Sequence, residues 1–351
     1  MTRPSSLADL ASIYDSQPIS GMRNRIINGD MRIDQRNAGS SITAGSFTFP
    51  VDRFFNFRNS GGTITAQRST AAPPGFNNSL LMTATSAATA TAAQQCIVTQ
   101  RIEGVNTYDF NLGTSDATLL TLSFWVRSSL TGTYCVYFNN NTYNRSYVTT
   151  YTINTSNTWE FKTITLRGDT TGTWVTDTNI GLVIGWSLGS GSNYNTTAGT
   201  WVAGEFQQTS TQANWCGTAS ATFNLTGVQL EVGPFATPFE RRSFGQELML
   251  CQRYFQRNGR VNGIWYSTNQ FRVICQLPVV LRAAPVLSLL DTNGYHEFWN
   301  QAGYFGISSV SIAAANPDTV DVQITSSSNR GRAYPEPAMI ERNVIGISAE
   351  L

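Results

Sequence analysis

Histidine is nearly absent from this chain, and its absence weakens the case for the most common catalytic arrangements. A serine or cysteine nucleophile is usually activated by a histidine base. The one histidine of the sequence, His296, lies in an aromatic segment between Tyr295 and Trp299, where a lone histidine is more often packed or exposed than catalytic. No glycine-rich phosphate loop follows a predicted strand. The sequence therefore gives no support to nucleophilic or nucleotide chemistry.

Hydrolysis of a glycoside requires no histidine base, because two carboxylates across a cleft are enough. The chain has 22 acidic residues, but no pair of them stands out, and most fall at turns or beside arginine. The sequence leaves a glycosidase open without favouring one. We expect a protein that is not an enzyme.

Tryptophan is the residue type best suited to bind a sugar here, since a sugar face can stack on an aromatic ring at a concave surface. Of the eight tryptophans, Trp186, Trp201 and Trp215 lie in or near loops rich in Gly, Ser, Thr and Asn. We predict these three as a glycan-binding platform, with a purely structural role as the alternative. Trp125 and Trp159 fall within predicted strands and are expected in the core or at an interface.

The charge balance excludes several classes of partner. Charged residues make up 13% of the 351 residues, and 23 basic and 22 acidic side chains leave a formal charge of +1. A broadly basic surface for nucleic acid is therefore not expected. No apolar stretch approaches the roughly 20 residues of a membrane span. Five dispersed cysteines without a CxxC pair, and no secretory signal, indicate reduced core thiols and folding in a cytoplasm.

Residues 23–242 have the pattern of many short strands joined by polar turns. Leu122, Phe124 and Val126 alternate with the residues between them, and Tyr134 begins a second alternating segment. The pattern predicts an all-β fold, with an antiparallel jelly-roll β-sandwich over this range.

The pattern changes at Ser243, which begins a capping box with Gln246. A stripe at helical spacing follows, formed by Phe244, Leu248, Cys251 and Phe255. Alternating segments such as Phe271 to Leu277 come later. Residues 243–351 are therefore predicted to form a smaller C-terminal β domain led by one helix.

Residues 1–22 are predicted to form an N-terminal arm. A short helical stripe consists of Leu7, Leu10, Ala11 and Tyr14. A helix this short is marginal by itself, so it should need a partner surface. We predict that these four residues anchor the protein to a larger particle. The alternative is that the stripe packs back onto residues 23–242.

Several ordered strings resemble a family of tailed-phage and prophage virion proteins, described as tail-fibre or minor structural proteins. The likeness covers roughly residues 22–256. Its strings, in order, are Asn24-Arg25-Ile26-Ile27-Asn28-Gly29-Asp30-Met31, Asp34-Gln35-Arg36, Val51-Asp52-Arg53-Phe54, Gln100-Arg101-Ile102-Glu103-Gly104, Thr158-Trp159-Glu160, Gly168-Asp169-Thr170, Gly227-Val228-Gln229-Leu230-Glu231-Val232-Gly233, Thr237-Pro238-Phe239-Glu240 and Cys251-Gln252-Arg253-Tyr254-Phe255. The opening Asn-Gly-Asp and the strand pattern also look like jelly-roll carbohydrate-binding modules. Such modules often carry a structural calcium, for which Asn28, Asp30 and Glu231 could supply oxygen ligands; otherwise no cofactor is expected.

The resemblance implies a non-enzymatic structural protein, located in the virion after synthesis in the bacterial host. We expect a homo-oligomer, most readily a trimer, that contacts other virion proteins of the tail or capsid. The leading hypothesis is a tail fibre or tail-tip component that can bind a host surface glycan. A capsid decoration protein or head fibre is one alternative, and a polysaccharide depolymerase is another.

Overall fold

The computed structural model describes residues 22–258, 261–265, 267, 269–289, 298–300, 303–305, 307–315, 318–326, 336–340 and 345–351. The chain divides into two units, of which the first ends at Arg242 and the second spans Ser243–Glu350. The predicted anchoring residues Leu7, Leu10, Ala11 and Tyr14 lie outside the described residues, and so does His296.

The first unit consists of short antiparallel strands. They are β1 (Ile42–Thr43), β2 (Ser46–Val51), β3 (Phe54–Arg58), β4 (Thr63–Ser69), β5 (Ser79–Ser86), β6 (Cys96–Glu103), β7 (Leu119–Ser128), β8 (Gly132–Asn139), β9 (Arg145–Ile153), β10 (Glu160–Arg167), β11 (Ile180–Ser187), β12 (Trp201–Ala203) and β13 (Thr222–Val232). Single 3₁₀ turns occur at Gly104–Asn106, Tyr108–Phe110 and Ser192–Tyr194.

These strands form two sheets, named here sheet A and sheet B. Sheet A has the order β1-β4-β5-β13-β7-β10, and sheet B has the order β12-β9-β8-β11-β6-β3-β2. One hydrophobic core joins them, with Phe124 and Leu225 from sheet A and Val136 and Ile184 from sheet B all fully buried. Full burial stabilises each such side chain by roughly 1.5–3 kcal/mol. The prediction of an antiparallel β-sandwich is confirmed.

The segment before β1 is held to both sheets by backbone and amide hydrogen bonds. Arg25 N donates to Leu230 O of β13 at 2.9 Å. The side chain of Gln100 on β6 exchanges two hydrogen bonds with the backbone of Ile27, each 2.9 Å long. The buried backbone of this irregular segment thus finds partners on strands that lie far away in sequence.

The second unit is also mostly β-structure. It contains the helix α1 (Phe244–Gln252) and the strands β14 (Phe255–Asn258), β15 (Val261–Trp265), β16 (Gln270–Gln276), β17 (Val286–Leu289), β18 (Phe298–Asn300), β19 (Gly303–Phe305), β20 (Ile307–Ala315), β21 (Thr319–Ser326), β22 (Glu336–Ile340) and β23 (Ile345–Ser348). Its sheets have the orders β14-β23-β17 and β19-β18-β22-β15-β16-β21-β20. Trp265, Phe271 and Val320 are among its buried core residues.

The predicted cap of α1 is present, but the predicted apolar stripe is partly wrong. The Ser243 side chain accepts a hydrogen bond from Gln246 N at 3.3 Å. Cys251 is buried, but Phe244 is 59% exposed. Phe255 lies outside the helix, because the chain leaves α1 after Gln252 and enters β14. Within the described residues, no helix has the length and apolar character needed to cross a membrane.

Candidate functional site

Two of the three predicted platform tryptophans are core residues, so the prediction is wrong for them. Trp186 and Trp215 both have no exposed surface. Trp186 points into the core on β11, and its ring meets that of Phe124 edge-on at 5.5 Å. A ring enclosed on all sides cannot stack on a sugar.

Trp201 remains a candidate, because it is only partly buried. It begins β12, and its indole Nε1 donates to Arg167 O at 2.9 Å. The ring centroids of Tyr147 and Trp174 each lie 5.4 Å from that of Trp201. Its proposed role in sugar binding stays a prediction.

Most of the oxygens predicted to bind calcium have protein partners, while Asp30 Oδ1 is buried without one. Asn28 Oδ1 accepts from Ile33 N at 2.9 Å, inside the fold. The Glu231 carboxylate is buried, accepts two hydrogen bonds from Thr237, and lies 3.6 Å from the guanidinium of Arg23. Asp30 forms an ion pair with Arg32 at 3.2 Å. Arginines thus face both carboxylates, and the calcium site stays a prediction. Nowhere in the described part of the chain do three or more His, Cys, Asp or Glu side chains form a metal-binding group.

The face of sheet B that points away from the core contains a cleft, called cleft B here. It combines aromatic rings with one cation, one carboxylate and several neutral polar groups. Its lining residues are Phe47, Phe55, Phe57, Gln95, Ile97, Thr99, Arg101, Tyr137, Tyr143, Glu205 and Gln207. Its volume is about 180 Å³, below the roughly 300–1,000 Å³ of pockets that enclose a drug-sized ligand. The cleft therefore suits one small unit of a larger ligand.

The floor of cleft B is the ring of Tyr137, which crosses over the neighbouring strand. Tyr137 on β8 and Thr99 on β6 are both register partners of Gly185 on β11. The phenol oxygen of Tyr137 forms a hydrogen bond of 2.7 Å with Thr99 Oγ1. A Cβ added to Gly185 would lie 2.2 Å from Tyr137 Cζ, so only glycine leaves room for the ring. Burial raises the pKa of the Tyr137 phenol, which therefore stays protonated.

Phenylalanine side chains form one wall, and a strained residue provides the outermost ring. Phe47 has φ of 53°, the left-handed region that costs a non-glycine residue free energy. It sits where the β2–β3 register is interrupted by a bulge between Ser46 and Thr48. The ring of Phe47 is half exposed and lies 5.5 Å from Phe55 and 5.1 Å from Phe57 between centroids. The bulge thus holds an apolar ring open to solvent.

Arg101 joins the aromatic wall to the second tyrosine of the cleft. Its guanidinium carbon lies 4.8 Å from the ring centroid of Phe55 and 5.3 Å from that of Phe47. Its Nη2 donates to Tyr143 Oη at 2.9 Å. Stacking on two rings orients the guanidinium and its donors within the cleft.

Glu205 supplies the carboxylate of cleft B. Its Oε1 accepts weak hydrogen bonds from Gln95 Nε2 at 3.5 Å and from Gln207 Nε2 at 3.4 Å. Gln207 Nε2 also donates to Gln95 Oε1 at 3.0 Å. Burial raises the pKa of Glu205, against the effect of the two amides. The amides and the carboxylate together present both donors and acceptors to a ligand rich in hydroxyl groups.

Comparison with known proteins gives no family for the chain: no family model matches it, and neither does any curated protein. Solved structures with some similarity include the enzymatically active domain of tailspike protein 4 of bacteriophage CBA120. The alignment has 12% identity and a TM-score of 0.34. It covers 61% of this chain but only 22% of the tailspike chain, so this chain spans about a fifth of the tailspike's length. The arabinose-bound α-L-arabinofuranosidase MgGH51 aligns at 10% identity and a TM-score of 0.33, over 63% of this chain and 29% of its own.

A carbohydrate-binding module is similar to the same extent. The family 11 module of Clostridium thermocellum, solved with a β-1,3-1,4-mixed-linked tetrasaccharide, aligns at 12% identity with a TM-score of 0.30. The alignment covers 57% of this chain and 100% of the module. Similarity this low does not define a common fold, so the fold assignment rests on the strand pairing of this chain itself.

Proposed function

We propose that this protein is a non-enzymatic structural component of a phage virion whose β-sandwich binds a host-surface glycan in cleft B. The observation that carries the binding proposal is the position of the half-exposed Phe47 ring beside Arg101 and Glu205. A sugar ring has one apolar face and a rim of hydroxyl groups. The first fits an aromatic ring, and the second fits charged and amide groups.

The make-up of cleft B supports binding in preference to hydrolysis. Glu205 is the one carboxylate among the residues that line the cleft in the described structure. Both inverting and retaining glycosidases use a pair of carboxylates on either side of the scissile bond. A depolymerase working in this cleft would lack the second group. An assay for new reducing ends on every bound polysaccharide checks this, and release of products would refute the non-enzymatic part of the proposal.

The virion part of the proposal rests on the ordered strings described above. We propose a trimeric tail fibre or tail-tip component. Densitometry of purified particles separates the possibilities, since a tail fibre is present in a few copies and a capsid decoration protein in many. Native mass measurement tests the trimer.

A glycan array tests the binding proposal and distinguishes cleft B from Trp201. We expect wild type to bind a subset of glycans, Arg101→Gln to lose most of that signal, and Trp201→Ala to keep it. Loss with Trp201→Ala alone would assign binding to the other surface. Featureless arrays for wild type would refute glycan binding and leave a purely structural role.

A further inference from the structure

The outer face of sheet A carries a second aromatic cleft, called cleft A here. Its lining residues include Phe76, Trp125, Phe161, Gly227, Phe239 and Arg241. Its volume is about 350 Å³, larger than that of cleft B. Trp125 and Phe161 are register partners on β7 and β10, with ring centroids 5.4 Å apart. Phe76 and Phe239 meet edge-on at 5.1 Å.

The backbone of β13 is adapted to let these rings approach. Gly227 has φ of 61°, and it lies where the register of β13 with β7 is interrupted between Thr226 and Gln229. A Cβ at Gly227 would lie 2.8 Å from Phe76 Cζ and 3.0 Å from Trp125 Cδ1. A bulge and a glycine thus bring one ring from a loop and one from a strand over the same point of the sheet.

Arg241 gives cleft A a positive charge at its rim. Its guanidinium carbon lies 4.9 Å from the ring centroid of Phe76 and 5.7 Å from that of Phe239. The residue is exposed, and Nη2 donates to Gly75 O at 2.5 Å, which fixes the plane of the fork. No carboxylate lines the cleft among the described residues. Arg241 interacts electrostatically with Asp30, but the ion pair of Asp30 is with Arg32.

We infer that cleft A binds an acidic sugar, with the pyranose face on the exposed ring of Phe161 and its neighbour Trp125, and the sugar carboxylate on Arg241. A guanidinium fork held on aromatic rings recognises a carboxylate through paired hydrogen bonds. Phe161 is 48% exposed, so its ring is open to a ligand. Cleft B also holds an arginine against two rings, but Glu205 lies in that cleft, whereas no carboxylate lines cleft A among the described residues. The inference does not depend on glycan binding in cleft B.

The test is equilibrium binding of oligogalacturonate, oligoglucuronate and oligosialic acid to the full chain, each compared with its carboxyl-reduced form. We expect one of the acidic forms to bind and its reduced form to bind at least about tenfold more weakly, because hydrogen bonds to charged groups are the strong ones. Arg241→Gln should cause a similar loss, and Phe161→Ala a loss of roughly fivefold. Arg167→Gln, which removes an exposed arginine outside both clefts, should leave this binding unchanged.

Three results would overturn the inference. The first is that the folded wild-type protein binds none of the three acidic oligosaccharides at millimolar concentration. The second is equal binding of the acidic and reduced forms, or of wild type and Arg241→Gln. The third is dissociation of an oligomer by Phe161→Ala in native mass measurements, which would make this face a contact between subunits. Thermal melting of each variant shows that a loss of binding is not a loss of fold.

Discussion

Replacement of Gly185 by alanine tests the construction of cleft B most sharply. The added methyl group would lie 2.2 Å from Cζ of Tyr137 and 2.3 Å from its phenol oxygen, whereas non-bonded carbon atoms prefer about 3.5–4.0 Å. The ring must therefore move by more than about 1 Å, and its 2.7 Å hydrogen bond to Thr99 breaks. Overpacking costs about 1–3 kcal/mol, and the lost hydrogen bond about 1 kcal/mol. We expect a loss of about 2–4 kcal/mol, which lowers the melting temperature by about 4–16 °C.

Differential scanning calorimetry of four variants checks this reasoning. Gly245→Ala is the matched control, because nothing lies within 4 Å of the added methyl group and the site is in helix α1. It should be neutral or slightly stabilising. In a Tyr137→Ala background, Gly185→Ala should cost far less than in wild type, since the obstructing ring is gone. The account of this contact would be refuted if Gly185→Ala melted at the same temperature as wild type. It would also be refuted if Gly185→Ala lost as much stability in the Tyr137→Ala background as in wild type.

Trp186→Ala should lose about 3–5 kcal/mol of stability in denaturant unfolding and Trp201→Ala clearly less, because only Trp186 is fully enclosed; equal losses would contradict the assignment. Burial raises the pKa of Glu205 above its ordinary value of 4.5, so the folded state is favoured by protonation and loses stability as the pH rises through 4.5 and then through the raised pKa. Glu205→Gln should therefore gain melting temperature relative to wild type at neutral pH but not at about pH 3, and a gain independent of pH would refute this. All five cysteines are buried thiols, so a thiol reagent should label none in the native protein and all after denaturation; rapid native labelling would contradict their burial.

The β-sandwich could be predicted because the alternation of apolar and polar residues is visible within each short stretch of the sequence. Leu122, Phe124 and Val126 alternate with their neighbours, and all three are fully buried on one face of β7. The same alternation ran through Leu182, Ile184 and Trp186, and it indicated the core position of Trp186 better than the loop composition beside it did. The helical stripe failed at Phe255 because the pattern does not show where α1 gives way to a strand.

Cleft B could not be predicted, because its parts are assembled by strand register. Tyr137, Gly185 and Thr99 come from three strands that are distant in sequence and adjacent only in sheet B. The side chain of Phe47 points outward because its φ is positive within a bulge. The residues around Phe47 in the sequence do not indicate this backbone conformation. The calcium prediction came from the resemblance of the Asn-Gly-Asp opening to carbohydrate-binding modules, and that resemblance does not show that Arg32 faces Asp30 and that Arg23 faces Glu231.

The affinity of the best-bound array glycan for wild type and for Phe47→Ala is the most direct test of the central claim, that cleft B binds a glycan. Phe47 is half exposed, so the fold should survive its truncation. Loss of one stacked ring, at about 1 kcal/mol, corresponds to roughly fivefold weaker binding. Phe235→Ala, which removes a more exposed phenylalanine outside cleft B, is the matched control and should bind as wild type does. Equal affinities for wild type and Phe47→Ala in titration calorimetry would contradict the claim.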